Sequence, residues 1–386
     1  MDFSMFMAGR VSFGPGVSAK AGELVKAAGA GSALIVTDET MERLGVADRI
    51  ADQVRKAGIE VAVFAKVEPE PSVETTDAAA ALARERKVEA VIGLGGGSSM
   101  DVAKAVSVLV TNEGSAANYQ GLGLVKNPGV PKIMIPTTAG TGSEVTFTAV
   151  LIRKSDGVKG GINSDYLYPD MSLLDPELTV SMPPHVTAST GMDALAHALE
   201  AYTSLKASPF SDMFAEEAML RIGRWLRVAT FSGKNIEARG EMMLAALFGG
   251  VALANAGVTA CHALAYPLGG MFGVPHGTAN ALLLPHVARW NAPASPERFA
   301  DAASLLGYPQ EEDEPDHVAA GFCAEALGDL VEDLGLPATL GDLDVGITKD
   351  RLDEMAEKAM GVAKPMENNP RIMTKMDCVT IYREAM

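Results

Sequence analysis

Four residues of this chain have the types and spacing to hold a divalent cation. Asp193 and His197 lie in the run GMDALAHALEAY, four residues apart, which on a helix sets both side chains on one face. His262 and His276 follow in ACHALAYPLGGMFGVPHGTANALLLPHV, with Pro and Gly between them to turn the chain. Three imidazoles and one carboxylate suit Fe2+, Zn2+, Ni2+ or Co2+. A buried carboxylate must be paired or neutral, and one shared cation would satisfy all four groups. The competing reading makes each histidine a hydrogen-bonded core residue. Spacing leaves both open.

A second set of residues could hold a phosphorylated ligand. In VIGLGGGSSMDVAKAV, Gly95, Gly96 and Gly97 directly follow a β-type run and precede a helical one. Glycines let the backbone approach a phosphate, and a helix N-terminus offers N–H groups with partial positive charge. Ser98 or Ser99 can cap that helix. The run matches neither the Walker pattern nor a full GxGxxG, and a tight turn without a ligand is the alternative. Asp38 follows ALIVT. An acid there would hold an adenosine ribose and repel a 2′-phosphate, favouring NAD over NADP, or would simply cap a helix beginning at Glu39. PTTAGTGSEVT (Pro136–Thr146) packs Thr137, Thr138, Thr141 and Ser143 into a turn, as donors to a cofactor or as a plain loop.

Such groups need a scaffold, and the first half of the chain supplies an α/β one. Ala33–Thr37, Val61–Ala65, Ala90–Gly96 and Lys132–Thr138 read as strands: short, apolar and rich in Val and Ile, as strands buried on both faces should be. Helical stretches near Val17–Ala28, Thr40–Ala57, Ser72–Lys87 and Met100–Val110 alternate with them, which predicts a parallel sheet. After Pro183–Pro184 the pattern turns helical: Ala188–Ala201, Phe210–Ala229, Ile236–Ala256, Pro296–Leu306 and Val318–Leu334. The expected division is 1–182, an NAD-binding α/β domain, and 183–386, an all-helical metal-binding catalytic domain.

Composition narrows the function. Among 386 residues, 32 Lys and Arg face 49 Asp and Glu, a net charge of −17. A polyanion of this strength does not suit nucleic-acid binding, which needs clustered cations. The acidic run Glu311–Asp316 reads as a solvated loop. Met242–Ala288 carries no Asp, Glu, Lys or Arg, but Asn255, His262, Pro267, Gly269, Gly270, Pro275, His276 and Pro285 interrupt it, so it reads as buried core and not as a membrane anchor. Three dispersed cysteines (Cys261, Cys323, Cys378) form no disulfide framework. The start MDFSMFMAGR lacks a basic region followed by an apolar one, and with the cysteines it points to the cytoplasm.

Taken together and in order, these motifs resemble the iron-containing (group III) alcohol dehydrogenase family over essentially the whole chain. GGGSSMDVAKA and PTTAGTGSEVT look like its cofactor loops. Asp193-xxx-His197, His262 and the PHGTANALLLPHV run look like its metal set, and NNPR (Asn368–Arg371) like its ending. The resemblance implies a Rossmann-like parallel-sheet domain followed by a helical one, with metal and nicotinamide meeting in a cleft. Asp193, His197, His262 and His276 would be the ligands of a divalent metal, Fe2+ foremost. Gly96, Gly97, Ser98 and Asp101 would sit at the pyrophosphate, Thr137, Thr138 and Thr141 on the adenylate side, and Lys159 at the nicotinamide ribose. Thr148 and Met360 would line the pocket.

The implied reaction is hydride transfer between NAD(H) and a small primary alcohol or aldehyde, running toward aldehyde reduction because free aldehydes are reactive and scarce. The implied assembly is a homodimer or larger. Many relatives carry a further histidine four residues after the third ligand. Here that position is Tyr266, whose ordinary pKa near 10 makes it a poor base. With His276 and Thr148 it completes the catalytic candidates, either in a proton relay or as a wall of the pocket. A glycerol dehydrogenase-like zinc enzyme, a dehydroquinate synthase-like lyase with no net NADH, and a non-catalytic binding protein stand as alternatives.

Overall fold

The computed structural model describes residues 3–386. The chain divides into two compact units: Met7–Val180, and Ser181–Met386 together with the described residues before Met7.

The first unit is built on a six-stranded parallel sheet. Its elements run β1 (Arg10–Phe13), α1 (Ala21–Ala27), β2 (Ser32–Val36), α2 (Glu39–Arg43), α3 (Val46–Lys56), β3 (Glu60–Phe64) and α4 (Val73–Glu85). They continue with β4 (Ala90–Gly95), α5 (Gly97–Leu109), β5 (Gly121–Leu122), β6 (Lys132–Pro136), β7 (Thr148–Arg153), β8 (Val158–Asn163) and β9 (Met171–Leu174). The strand order is β1-β9-β6-β4-β2-β3, and every neighbouring pair is parallel. A small second sheet, β5-β8-β7, joins a parallel pair to an antiparallel one.

Period-two alternation explains the two cores. Leu34, Val36, Val91 and Met134 face the helices α4 and α5, through Ala79, Ala80, Val102 and Val106. Ala33, Ile35, Ala90, Ile92 and Ile133 face α1 and α3, through Val25, Ile50 and Val54. Central strands covered on both faces are therefore continuously apolar. The four strands expected from sequence are β2, β3, β4 and β6, whereas β1, β5, β7, β8 and β9 escaped notice. The expected Thr40–Ala57 helix is broken: Gly45, with φ 70, separates α2 from α3.

The second unit is helical: α6 (Pro184–Thr203), α7 (Pro209–Phe231), α8 (Ile236–Ala256), α9 (Ala260–Phe272), α10 (His276–Asn291), α11 (Pro296–Leu305), α12 (Asp316–Asp333), α13 (Leu352–Met360), α14 (Ala363–Asn368) and α15 (Lys375–Glu384). Every residue of α6 from Gly191 to Thr203 is buried, so it is a central helix covered on all sides. The charge-free stretch covers most of α8, all of α9 and most of α10, where most side chains are buried. Among the described residues no single helix is long and apolar enough to cross a membrane; α8 and α9 meet that test only jointly, and they are bent by 106°.

Candidate metal centre and dinucleotide loops

Three helices of the second unit bring the four expected cation ligands together. Asp193 and His197 project from one face of α6, His262 lies in the first turn of α9, and His276 opens α10. Gly273, in the left-handed region with φ 70, ends α9, and Pro275 precedes α10, so the chain reverses between the two histidines. One oxygen collects all three rings. Asp193 Oδ1 stands 3.6 Å from His276 Nε2, 3.9 Å from His262 Nε2 and 4.0 Å from His197 Nε2. Asp193, His262 and His276 form the compact trio, with ligand atoms all within 4.8 Å of one another. His197 completes the set from its edge, with its ring stacked on that of His262 at 4.8 Å between centroids.

These separations fit a cation. A tetrahedral ion bound at about 2.1 Å places its ligand atoms about 3.4 Å apart, close to the spacing observed. Burial by itself would raise the Asp193 pKa. The neighbouring His197, His276 and His262, with a hydrogen bond from Asn280, outweigh it and hold the carboxyl at about 2, ionised as a ligand must be. Of the candidate ligands His276 has an outlet, its side chain 29% exposed against 3% for His262. Tyr266, one helical turn beyond His262, stacks on the His276 ring at 5.9 Å.

Two residues that sequence reasoning passed over complete this centre. Glu200, buried on α6, pairs through Oε2 with His262 Nδ1. Asn280, one turn into α10, donates from Nδ2 to Asp193 Oδ1 at 2.7 Å and lies 3.2 Å from the Nε2 atoms of His262 and His276. Both stood inside the quoted runs. Glu200 follows Asp193 by seven residues and Asn280 follows His276 by four, each on the same helix face as its predecessor.

The first unit assembles the other set at the carboxyl ends of β2 and β4. Strand order reverses between these strands, since β3 lies beyond β2 on one side and β6 beyond β4 on the other. Open α/β sheets bind ligands at such a switch point. Asp38 realises the capping alternative: Oδ1 accepts from Thr40 N at 2.9 Å and Met41 N at 3.1 Å, while Oδ2 accepts from Ser99 Oγ at 3.3 Å. It sits against Gly95, whose φ of 144 excludes other residues and where a Cβ would lie 3.1 Å from Asp38 Oδ2. Gly96 is the N-cap of α5 and Gly97 its first residue, so neither Ser98 nor Ser99 caps that helix. The helix starts before the serines, and its first amides have no side-chain cap. Such an end presents backbone N–H groups and partial positive charge.

The hydroxyl-rich loop folds onto this terminus. Thr137 N donates to Gly95 O at 3.0 Å, and Thr141 packs where a Cβ on Gly97 would come within 2.7 Å. Thr138 lies beside Gly96. Asp101 and Ser143 bind each other: Ser143 Oγ donates to Asp101 Oδ1 at 2.6 Å, and Asp101 Oδ2 accepts from Val150 N. The fully buried Lys104, also absent from the sequence reading, pairs with Asp101 at 3.0 Å and donates to Ser143 O. Its signal was the Asp-xx-Lys spacing in SSMDVAKA. Thr148 Oγ1 donates to Asn163 Oδ1, tying β7 to β8, and Lys159 on β8 pairs with Glu70. Met360 ends α13 in the other unit, 3.7 Å from Cys378 Sγ.

Comparison with known proteins gives a consistent result. Residues 8–176 match the family model described as iron-containing alcohol dehydrogenase, and residues 187–386 match the C-terminal model of the Fe-containing alcohol dehydrogenase family. The chain is 41% identical to long-chain-alcohol dehydrogenase 1 of Geobacillus thermodenitrificans over 94% of its own length and 91% of the relative's. It is 36% identical to the NAD-dependent methanol dehydrogenase of Bacillus methanolicus over 97% of each chain. The crystal structure of a 1,3-propanediol oxidoreductase superposes with a TM-score of 0.97 at 38% identity, covering 100% of both chains.

Proposed function

The chain belongs to the iron-containing alcohol dehydrogenase family, and on that premise we propose that it passes a hydride between NAD(H) and a small primary alcohol or aldehyde, working toward aldehyde reduction. One observation carries this reading: a single buried carboxylate oxygen faces three imidazole nitrogens at 3.6 to 4.0 Å. Asp193, His197, His262 and His276 would hold a divalent metal, Fe2+ foremost. When bound, the metal would act as a Lewis acid on the substrate oxygen, and NAD(H) would carry the hydride.

The chain's own residues divide the remaining work. The three buried ligands anchor the cation, and the partly exposed His276 marks the side from which substrate arrives. Tyr266 shapes that side by packing on the His276 ring. The uncapped start of α5, with Gly95, Gly96, Gly97 and Ser98, receives the pyrophosphate. Asp38 Oδ2, which accepts from Ser99 Oγ, offers its remaining lone pair to an adenosine ribose, a placement that disfavours a 2′-phosphate. Thr137, Thr138 and Thr141 take the adenylate side and Lys159 the nicotinamide ribose, while Asp101 and Ser143 hold the loop in shape. Thr148 on β7 and Met360 at the end of α13 are the candidate substrate-contact residues of their respective units. Three buried free cysteines support a reducing compartment, the cytoplasm. Exposed Val11 and Phe13 on the edge strand β1 support a homo-oligomer, a dimer or larger.

The test is loss of NADH absorbance with a panel of small aldehydes, on anaerobically purified protein loaded with one divalent metal at a time. Metal-dependent NADH consumption is expected, and His276→Ala should lose metal and turnover together. An active, metal-free His276→Ala protein would sink the ligand assignment. NADH that binds but is never consumed with any metal would favour a lyase or a non-catalytic protein.

A further inference from the structure

We propose that Glu200 is a positioning residue that holds His262 with its proton on Nδ1 and its lone pair on Nε2, aimed at the cation. The proposal rests on the reading of Asp193, His197, His262 and His276 as metal ligands. It goes beyond that reading by assigning a role to a residue outside the ligand set.

The two oxygens of Glu200 do different jobs. Oε1 accepts from Thr259 N at 3.0 Å, Thr259 Oγ1 at 2.8 Å, Cys261 N at 2.8 Å and His262 N at 3.3 Å. Thr259 is the N-cap of α9 and does not cap it with its own side chain. A carboxylate from α6 therefore caps α9, held by the first amides and by the positive end of the helix. With Oε1 saturated, Oε2 is left for His262 Nδ1. An ionised carboxylate accepts only, so the shared proton belongs to Nδ1 and the neutral ring keeps its lone pair on Nε2.

The far side of the ring is compatible with that tautomer. Asp193 is also acceptor-only, so Asn280 must turn its amide nitrogen toward Oδ1, 2.7 Å away. That nitrogen lies 3.2 Å from both His262 Nε2 and His276 Nε2, and with one proton directed at Oδ1 it has one left to offer a ring lone pair. The carboxylate behind Nδ1 selects the tautomer able to bind a metal, and the amide before Nε2 does not oppose it. The pairing also links metal affinity to the packing of α9 on α6, because the same carboxylate serves both.

Glu200→Gln tests this, since glutamine preserves the shape. Its oxygen can still accept the α9 amides, but its NH2 then faces Nδ1 and moves the His262 proton to Nε2. We expect metal-free Glu200→Gln to melt near the wild type, and to bind Co2+ about 10- to 100-fold more weakly with an altered visible spectrum. Wild-type Co2+ affinity and spectrum in the variant would overturn the positioning role alone. A wild-type protein that takes up no Co2+ would overturn the ligand reading and this proposal with it. Should the variant fail to fold, proton–nitrogen correlation spectra of the histidine rings in metal-free wild type decide the matter. An Nδ1–H tautomer for His262 supports the proposal, and an Nε2–H tautomer overturns it.

Discussion

Gly277→Ala should disable the metal centre without touching a ligand. Gly277 follows His276 at the start of α10, and its missing side chain lets that helix lie against the Ser189 carbonyl of α6. A Cβ there would stand 2.5 Å from Ser189 O and 2.9 Å from Ser189 C. Carbon–oxygen contacts close to no less than about 3.3 Å, so the two helices must part by about 0.8 Å. Both obstacles are backbone and cannot rotate aside as a side chain would, so α10, which carries the added methyl, must move off α6. His276 travels with it. Its Nε2 now stands 3.6 Å from Asp193 Oδ1, and the shift opens that gap to about 4.4 Å. A cation bound at about 2.1 Å to each atom spans at most about 4.2 Å, even with all three collinear.

One ligand is therefore lost. The expected drop in Co2+ or Zn2+ affinity is at least about 100-fold, the upper end of what disturbing an outer partner costs. Overpacking should also cost about 1–3 kcal/mol of stability in the metal-free protein. Chelator competition measures the first effect and urea unfolding of stripped protein the second. Gly270→Ala in α9 is the control, because a Cβ there meets nothing within 4 Å. It should leave metal affinity unchanged and stabilise the helix by up to about 1 kcal/mol. Metal affinity within threefold of wild type in Gly277→Ala would refute the argument that backbone contact sets the ligand spacing.

Two further predictions follow from other sites. Glu144 is buried beside Lys104, and burial pushes its carboxyl up from 4.5 to about 7, against its own backbone hydrogen bond and the Lys104 charge. The native state thus binds more protons than the unfolded chain between those values. This stabilising difference is complete below about pH 4.5 and lost as pH rises through about 7, to the extent of about 3 kcal/mol. Glu144→Gln should flatten the pH dependence of urea unfolding in that window, and an unchanged slope would contradict it. Tyr266→Phe should keep metal binding, the pH profile and turnover to within about threefold, because the ring packs on His276; a loss approaching the about 100-fold typical of general acid–base groups would instead assign the hydroxyl a proton-relay role.

Some of this protein was decided within short stretches of sequence. Apolar runs rich in β-branched residues marked β2, β4 and β6, because central parallel strands are covered on both faces and cannot alternate. The edge strand β1, the glycine-bearing β8 and the four-residue β9 lack that signal. Helices α9 and α10 went unread because Pro267 and Pro285 lie inside them and argue against helix in isolation. Asp193, His197, His262 and His276 were legible because histidine is scarce here, six in the whole chain, and two of the four residues share a helix face. Their chemistry belongs to the side chains themselves.

Tertiary packing decided what those side chains can do. Asp38 could be a cap or a ribose ligand by sequence; it became a cap whose second oxygen remains beside Gly95, because β2 and β4 adjoin at the point where strand order reverses. Asp101 and Ser143, expected at the cofactor, also bind each other beside the buried Lys104 of α5, a pairing no local signal announced. Glu200 and Asn280 are ordinary residue types at ordinary spacings, and nothing local distinguishes them from solvated positions. They acquire roles only when α6, α9 and α10 pack together and bury them, so that each polar group must take the nearest complementary partner. Sequence determined which donors and acceptors the chain carries and which helix faces present them. The partners themselves lie 87 residues apart for Asp193 and Asn280 and 62 for Glu200 and His262, a pairing that only the folded chain can make.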